Sequence, residues 1–183
     1  MKKIAKFLKV SEEQFITDVN KIALSCLYNE EYLKEIYKRI RIPERSTKNS
    51  AGYDFFLPFS ISLFPGTGIK IPTGIRVEMQ PNWVLQIYPR SGLGIKYRLQ
   101  LNNTVGIIDS DYFYSDNEGH IMVSIFNDGH KKNIIELNEG KAFVQGIFIE
   151  YGIAINDNNP EQIRNGGFGS TDIIKPGNFI TYN

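Results

Sequence analysis

The chain has 183 residues, 42% of them hydrophobic, and a net charge of +1. That is enough apolar material for one globular core, and it argues against a strongly electrostatic nucleic-acid binder, so any anionic ligand must be met by a few placed cations. The single cysteine, Cys26, excludes an internal disulfide framework and a thiolate metal cluster, and the only histidines, His120 and His130, suggest no zinc site.

Met1-Lys2-Lys3 begins basic, but Phe7-Leu8-Lys9-Val10 is cut by Lys9 and followed by Glu12 and Glu13. No signal-peptide core forms, and the expectation is a cytoplasmic protein that needs no membrane. Lys3 to Val10 alternates weakly and reads as a first strand. Ser11-Glu12-Glu13-Gln14 has capping-box spacing, and Phe15, Val19, Ile22, Ala23 and Cys26 recur behind it at helical intervals. Asn29-Glu30-Glu31 supplies a second cap with two carboxylates at the positive end of the helix dipole. Leu33, Ile36, Tyr37 and Ile40 form the apolar stripe of that helix, which should stop before Pro43. These apolar faces read as packing surfaces rather than as a partner-binding groove, and residues 11–41 as a helical insertion on the β-rich remainder of the chain.

After Pro43 short runs of Ile, Val, Phe and Tyr alternate with Gly, Pro, Asn and Asp, the texture of an all-β sandwich or barrel. Candidate strands are Tyr53 to Leu57, Gly68 to Ile71, Gly74 to Met79, Val84 to Tyr88, Gly106 to Ile108, Ile121 to Phe126, Asn133 to Leu137 and Val144 to Glu150. Tyr151 to Gln162 is polar and turn-rich and reads as a connection to the glycine-dense stretch from Arg164 to Thr171.

The segment from Asn102 to Val123 organises the chain. Val105-Gly106-Ile107-Ile108 delivers Asp109 to a turn marked by Ser110, Asp111, Ser115, Asp116, Asn117 and Gly119, and Ile121 to Ile125 reads as the return strand of a long-tipped hairpin. Asp109 and Asp111 share a face if the strand continues, with Tyr112 in reach. A carboxylate fixed at a strand end can take a proton from water; its plainer role is to cap the turn. Pro89-Arg90-Ser91-Gly92-Leu93-Gly94 offers a cation, a hydroxyl and backbone amides, the parts of a phosphate-binding turn, or an ordinary turn. Arg164, Phe168, Ser170 and Thr171 suit a flat base and its phosphates, though alone such a stretch reads as a linker. Gln145 offers a neutral amide that could orient water or a phosphate oxygen.

Taken jointly and in this order, these stretches resemble the five motifs of the trimeric dUTP diphosphatase family. Ala51-Gly52-Tyr53-Asp54 resembles the first, Pro89 to Gly94 the second, Gly106 to Tyr112 the third, Gly140 to Gln145 the fourth and Arg164 to Thr171 the fifth. The fourth departs in holding Ala142 where the family usually has Arg, with Val144 before Gln145. The third is lengthened by Phe113 to Glu118, and in the fifth Arg164 lies one residue closer to Phe168 than is usual. The N-terminal helices have no counterpart in the common short members.

The resemblance implies a distorted jelly-roll-like (β-clip) subunit, one domain over residues 1–183, with 164–183 a C-terminal arm that crosses to a neighbour in a homotrimer with shared active sites. It implies hydrolysis of dUTP to dUMP and pyrophosphate, with Asp109 as general base and Mg²⁺ on the triphosphate, touched by Asp54 only through water. Arg90, Ser91, Gly92 and Gln145 would hold phosphates or the attacking water. Asn103 and Gly106 would meet uracil and Tyr112 the sugar; Phe168 would stack on the base, and Arg164, Gly169 and Ser170 would close over the phosphates. Neither nucleic acid nor membrane is an expected partner. Two alternatives stand beside this reading. A dCTP deaminase of the same fold would need a catalytic glutamate near the hairpin, where only Glu118 is available. A nucleotide-switched regulatory protein would use the helical insertion to dock a protein partner.

Overall fold

The computed structural model describes residues 2–22 and 28–158. Ala23, Cys26 and the whole Arg164 to Thr171 stretch, with the roles expected of Arg164, Phe168, Gly169 and Ser170, therefore lie outside the described residues.

The described chain is mostly antiparallel β. Its first strand, β1 (Ala5–Lys9), is followed by helices α1 (Glu12–Asn20) and α2 (Glu30–Arg39). Both helices start where their caps predict: Ser11 Oγ accepts from the Gln14 amide and Asn29 Oδ1 from the Tyr32 amide, each cap being worth about 1 kcal/mol. The capping box of α1 is only half made. Gln14 turns its side chain to Asp18 at 2.8 Å, and the Ser11 amide goes instead to Glu118 Oε2 at 2.8 Å.

The next strands are β2 (Glu44–Arg45), β3 (Tyr53–Phe56), β4 (Ile61–Leu63), β5 (Gly68–Pro72), β6 (Ile75–Met79) and β7 (Trp83–Pro89). After helix α3 (Ser91–Tyr97) come β8 (Leu99–Leu101), β9 (Gly106–Asp109), β10 (Met122–Asn127), β11 (Ile135–Leu137) and β12 (Ala142–Glu150). They form sheets in the orders β2-β3-β12-β7-β9, β5-β10-β8, β1-β6 and β4-β11. Alternation drives this: β10 buries Val123, Ile125 and Asn127 while the residues between them are partly exposed.

The long hairpin expected across Asn102 to Val123 does not form. β9 pairs with β7, Gly106 opposite Ile87 and Asp109 opposite Val84, whereas β10 pairs with β5 and β8. The two strands belong to different sheets, and the chain between them begins as a 3-10 turn, Ser110–Tyr114. Asp111 thus sits in that turn rather than continuing the strand face of Asp109. The expected turn at Pro89 to Gly94 is also corrected: Ser91 starts a two-turn helix, because the Leu93 and Gly94 amides both reach the Arg90 carbonyl and Leu93 is buried.

One apolar cluster joins the helices to the sheets. Phe15 and Val19 of α1 and Leu33 and Ile36 of α2 are fully buried with Phe55, Ile71, Ile75, Leu85, Ile87 and Phe143. Phe15 and Val19 of the first predicted stripe and Leu33, Ile36 and Ile40 of the second are buried, but α1 ends at Asn20, so Ile22 lies beyond the helix. Among the described residues no helix is long and apolar enough to cross a membrane.

Candidate active site

Two cavities collect the residues singled out in the sequence. The first, about 700 Å³, lies where β3, β7 and β12 meet the start of α3. Gln145 stands opposite Asp54 on one side and Tyr88 on the other, so the sheet sets a row of polar side chains across three strands. Asp54 Oδ1 pairs with Arg90 Nε at 2.9 Å, and Ser46 Oγ donates to Asp54 Oδ2 at 2.7 Å. The amide of Gln145 donates to the Pro89 carbonyl at 3.3 Å, and its Oε1 lies so close to Gly52 that a Cβ there would sit 2.5 Å away. Glycine at 52 therefore makes room for Gln145 itself.

Arg90, Lys96 and Lys141 face this cavity against Asp54 and Glu136, with Ser91 and Gly92 at the start of α3. The amides of those two residues precede the first intrahelical bonds of α3, so the rim combines cations, a hydroxyl and backbone donors suited to an anion. Ala142, in the place of the family's arginine, is buried and lends only its carbonyl, 3.5 Å from Arg90 Nη1. Lys96 and Lys141 were not anticipated. Lys141 sits inside the fourth motif, and its charge was the signal available there.

The second cavity, about 240 Å³, is narrow and mostly apolar, lined by Ile87, Leu101, Val105, Ile108 and Met122 together with Asn103, Gly106 and Tyr112. Here the chain passes from β8, in one sheet, to β9, in another, through a turn closed by Val105 N on Asn103 O at 2.6 Å, with Thr104 at φ +61°. A Cβ on Gly106 would lie 3.1 Å from Ile87 Cβ, which accounts for the glycine. An apolar slot with a backbone edge and one side-chain amide suits a flat heterocycle read along its hydrogen-bonding edge.

Asp109 ends β9 between two lining residues of this second cavity, Ile108 and Tyr112. It stands at the cap position of the 3-10 turn, yet its carboxylate makes no capping hydrogen bond, so the plain turn-cap role does not account for it. Tyr112 is buried; its hydroxyl donates to the His120 carbonyl at 2.9 Å and accepts from Asn117 Nδ2 at 2.9 Å.

The added tip is held from two sides. Arg76 of β6 stacks on the Phe113 ring, 3.7 Å from its centroid, and donates to the Phe113 carbonyl at 2.7 Å. Glu118 takes the Ser11 amide and hydroxyl at 2.8 and 2.6 Å. Burial works to raise the Glu118 pKa, but the two Ser11 bonds and the nearby Arg76 charge bring it below the ordinary glutamate value. Its carboxylate is committed to the helix cap.

Asp109 is opposite Val84 near the start of β7, whereas Arg90 follows its last residue. Arg90 lies six positions beyond Val84 along the chain, about 20 Å at the usual strand rise.

The family model for dUTPase matches residues 38–172. The deoxyuridine 5′-triphosphate nucleotidohydrolase of Lactococcus lactis is 44% identical over 134 residues, 72% of this chain and 88% of that protein. That of Hahella chejuensis is 36% identical over 143 residues, 75% and 91% of the two. Among solved structures, the Streptococcus mutans dUTPase aligns over 62% of this chain and 88% of its own, with TM-score 0.56 and 34% identity. The dUTPase of Staphylococcus aureus phage phi11 covers 91% of this chain and 98% of its own, with TM-score 0.58; at 21% identity it speaks for the fold alone.

Proposed function

The chain belongs to the dUTPase family and is a dUTP diphosphatase; from that premise we propose that it cleaves dUTP between the α- and β-phosphates with Asp109 as general base, in sites shared between chains. Asp109 takes a proton from water as the water attacks the α-phosphorus in line, a contribution typically worth about 10²- to 10⁴-fold. Arg90, Ser91, Gly92 and Gln145 hold the phosphates and the water. Uracil enters the narrow slot, where the backbone through Gly106 and the Asn103 amide meet its edge; cytosine would reverse one donor and one acceptor and leave buried groups unpaired. Tyr112 forms the wall under the sugar where a 2′-hydroxyl would clash.

Mg²⁺ supplies charge neutralisation to the triphosphate. Both Asp54 oxygens are already engaged, by Arg90 and Ser46, which suits a contact through the ion's water shell. In this reading residues 1–183 act as one domain in the cytoplasm, and the arm 164–183 brings Phe168 onto the base and Arg164, Gly169 and Ser170 onto the phosphates of a neighbour's site. The deaminase alternative loses its candidate glutamate, since Glu118 holds Ser11.

The observation that carries the shared-site reading is the placement of Asp109 and Arg90 at opposite ends of β7. A base about 20 Å from the phosphate grip cannot serve the same nucleotide within one chain, so a homotrimer with sites between subunits supplies the missing half. Coexpression of Asp109→Asn with Arg90→Ala tests it. Each variant alone should be nearly inactive, and mixed trimers should recover about a quarter of wild-type dUTP turnover, because each site draws the two residues from different chains. A mixture as inactive as its parents refutes the shared site; release of ammonia from dCTP by the wild-type protein would refute the diphosphatase assignment.

A further inference from the structure

Asp18 is a carboxylate on the buried face of α1, 6% exposed, and its Oδ2 lies 2.7 Å from Nδ1 of His120, which is fully buried. On the other side of the ring, Nε2 accepts the Gly74 amide at 2.8 Å. A nitrogen that accepts an N–H carries no proton, so the proton sits on Nδ1 and is donated to Asp18. The imidazole is thus bonded at both nitrogens, by partners from two other elements, with the Phe15 ring beside it at a centroid distance of 6.3 Å. A buried ring held twice has no freedom to turn, and it fixes the backbone that bears it.

That backbone matters to the site. The His120 carbonyl accepts the Tyr112 hydroxyl, and the intervening loop packs closely on the turn before it: Gly119, at φ +67°, has no room for a Cβ, which would lie 2.7 Å from the Phe113 Cα and the Tyr112 carbonyl oxygen. We propose that Asp18 and His120 are positioning residues for sugar recognition, fixing the carbonyl that holds the Tyr112 hydroxyl and so making the N-terminal helix part of the wall that excludes a 2′-hydroxyl. The proposal rests on the reading of Tyr112 as the sugar wall. Ser11 on Glu118 and Arg76 on Phe113 hold the rest of the loop, and Asn117 Nδ2 donates to the Tyr112 hydroxyl from within it, so Asp18 acts on the acceptor side of that hydroxyl, through His120.

The test compares the full-length protein with Asp18→Ala, Asp18→Asn, Tyr112→Phe and Val19→Ala. Val19 is buried on the same helix and does not bond His120, so its variant reports destabilisation alone. Asp18→Ala and Tyr112→Phe should lower the kcat/KM preference for dUTP over UTP by about tenfold or more, with dUTP over dCTP held within about threefold. Asp18→Asn, which keeps an acceptor for Nδ1–H, should restore the sugar preference. The affinity ratio of dUMP to UMP, measured by calorimetry, gives the same comparison without turnover. Unchanged sugar preference in Asp18→Ala, or an equal loss in Val19→Ala, overturns the proposal. A wild-type protein that prefers dUMP over UMP without hydrolysing dUTP would sink the diphosphatase assignment and leave this inference to be decided by the binding ratios; equal wild-type binding of dUMP and UMP overturns it outright.

Discussion

Gly52, just before β3, and Gly146 of β12 should respond in opposite ways to one added methyl group. In Gly52→Ala the new Cβ meets Gln145 Oε1 at 2.5 Å, and only a flexible amide has to move. In Gly146→Ala it meets Leu85 Cδ1 at 2.8 Å, Phe55 Cε2 at 3.0 Å and Ile87 Cδ1 at 3.3 Å, all in the closed core. Overpacking of that kind costs about 1–3 kcal/mol, which lowers Tm by about 3–10 °C in a domain of this size. Gly52→Ala should stay within about 0.5 kcal/mol of wild type, since backbone restriction of the unfolded chain offsets the local shift. Its cost falls on Gln145, which loses its seat on the Pro89 carbonyl, and kcat/KM for dUTP should drop about 10- to 100-fold, as for a misplaced positioning group. Thermal melting and steady-state pyrophosphate release separate the two. A Gly52→Ala protein with wild-type turnover would refute the role given to Gln145, and one that melts as early as Gly146→Ala would refute the account of the glycine.

Asp109→Asn should keep the wild-type melting temperature and bind dUTP while losing about 10²- to 10⁴-fold in kcat; near-normal kcat in single-turnover experiments would remove it as the base. Arg90→Lys keeps the charge but not the planar Nε contact to Asp54, so KM for dUTP should rise about tenfold or more with little change in Tm, and an unchanged KM would argue that Arg90 only braces Asp54. Burial works to raise the Asp18 pKa, but hydrogen bonds from His120, Gln14 and Lys21 hold it at about 2 against an ordinary 3.8. A depressed carboxylate stabilises the fold fully above its unfolded value, so about 1–2 kcal/mol should be present above pH 4 and lost as pH falls toward 2. Urea unfolding at stepped pH should show that loss in wild type and not in Asp18→Asn; parallel curves would contradict it.

The strands that the sequence announces most clearly are those whose alternation runs for five residues or more, such as Ile121 to Phe126 and Val144 to Glu150. Ile61–Leu63 and Leu99–Leu101 are three residues each, too short for a period to declare itself. Pairing was less legible than existence: Ile107 and Ile125 both read as strand, but which neighbour each takes is settled by the whole sheet, so adjacency along the chain suggested a hairpin that tertiary packing replaced. The helix at Ser91 was hidden by Gly92 and Gly94, whose poor propensity is overcome by burial of Leu93. Asp54, Arg90 and Gln145, drawn from three of the five motifs, line one cavity because those motifs fall on and beside adjacent strands. Asp18 carried a signal that went unread: it lies three residues after Phe15 and one before Val19, on the buried face of an amphipathic helix, where a carboxylate needs a partner.

The contact between α1 and the added tip also bears on ancestry and on engineering. The match to the family model begins at Lys38, but cutting the chain back to it would strand the imidazole of His120 without Asp18, leave the Glu118 carboxylate without Ser11, and bare the core beneath Phe15 and Val19. The two additions to the shared plan are therefore interlocked. Neither could be grafted alone onto a shorter relative, and a lineage that lost one would have to redesign the other.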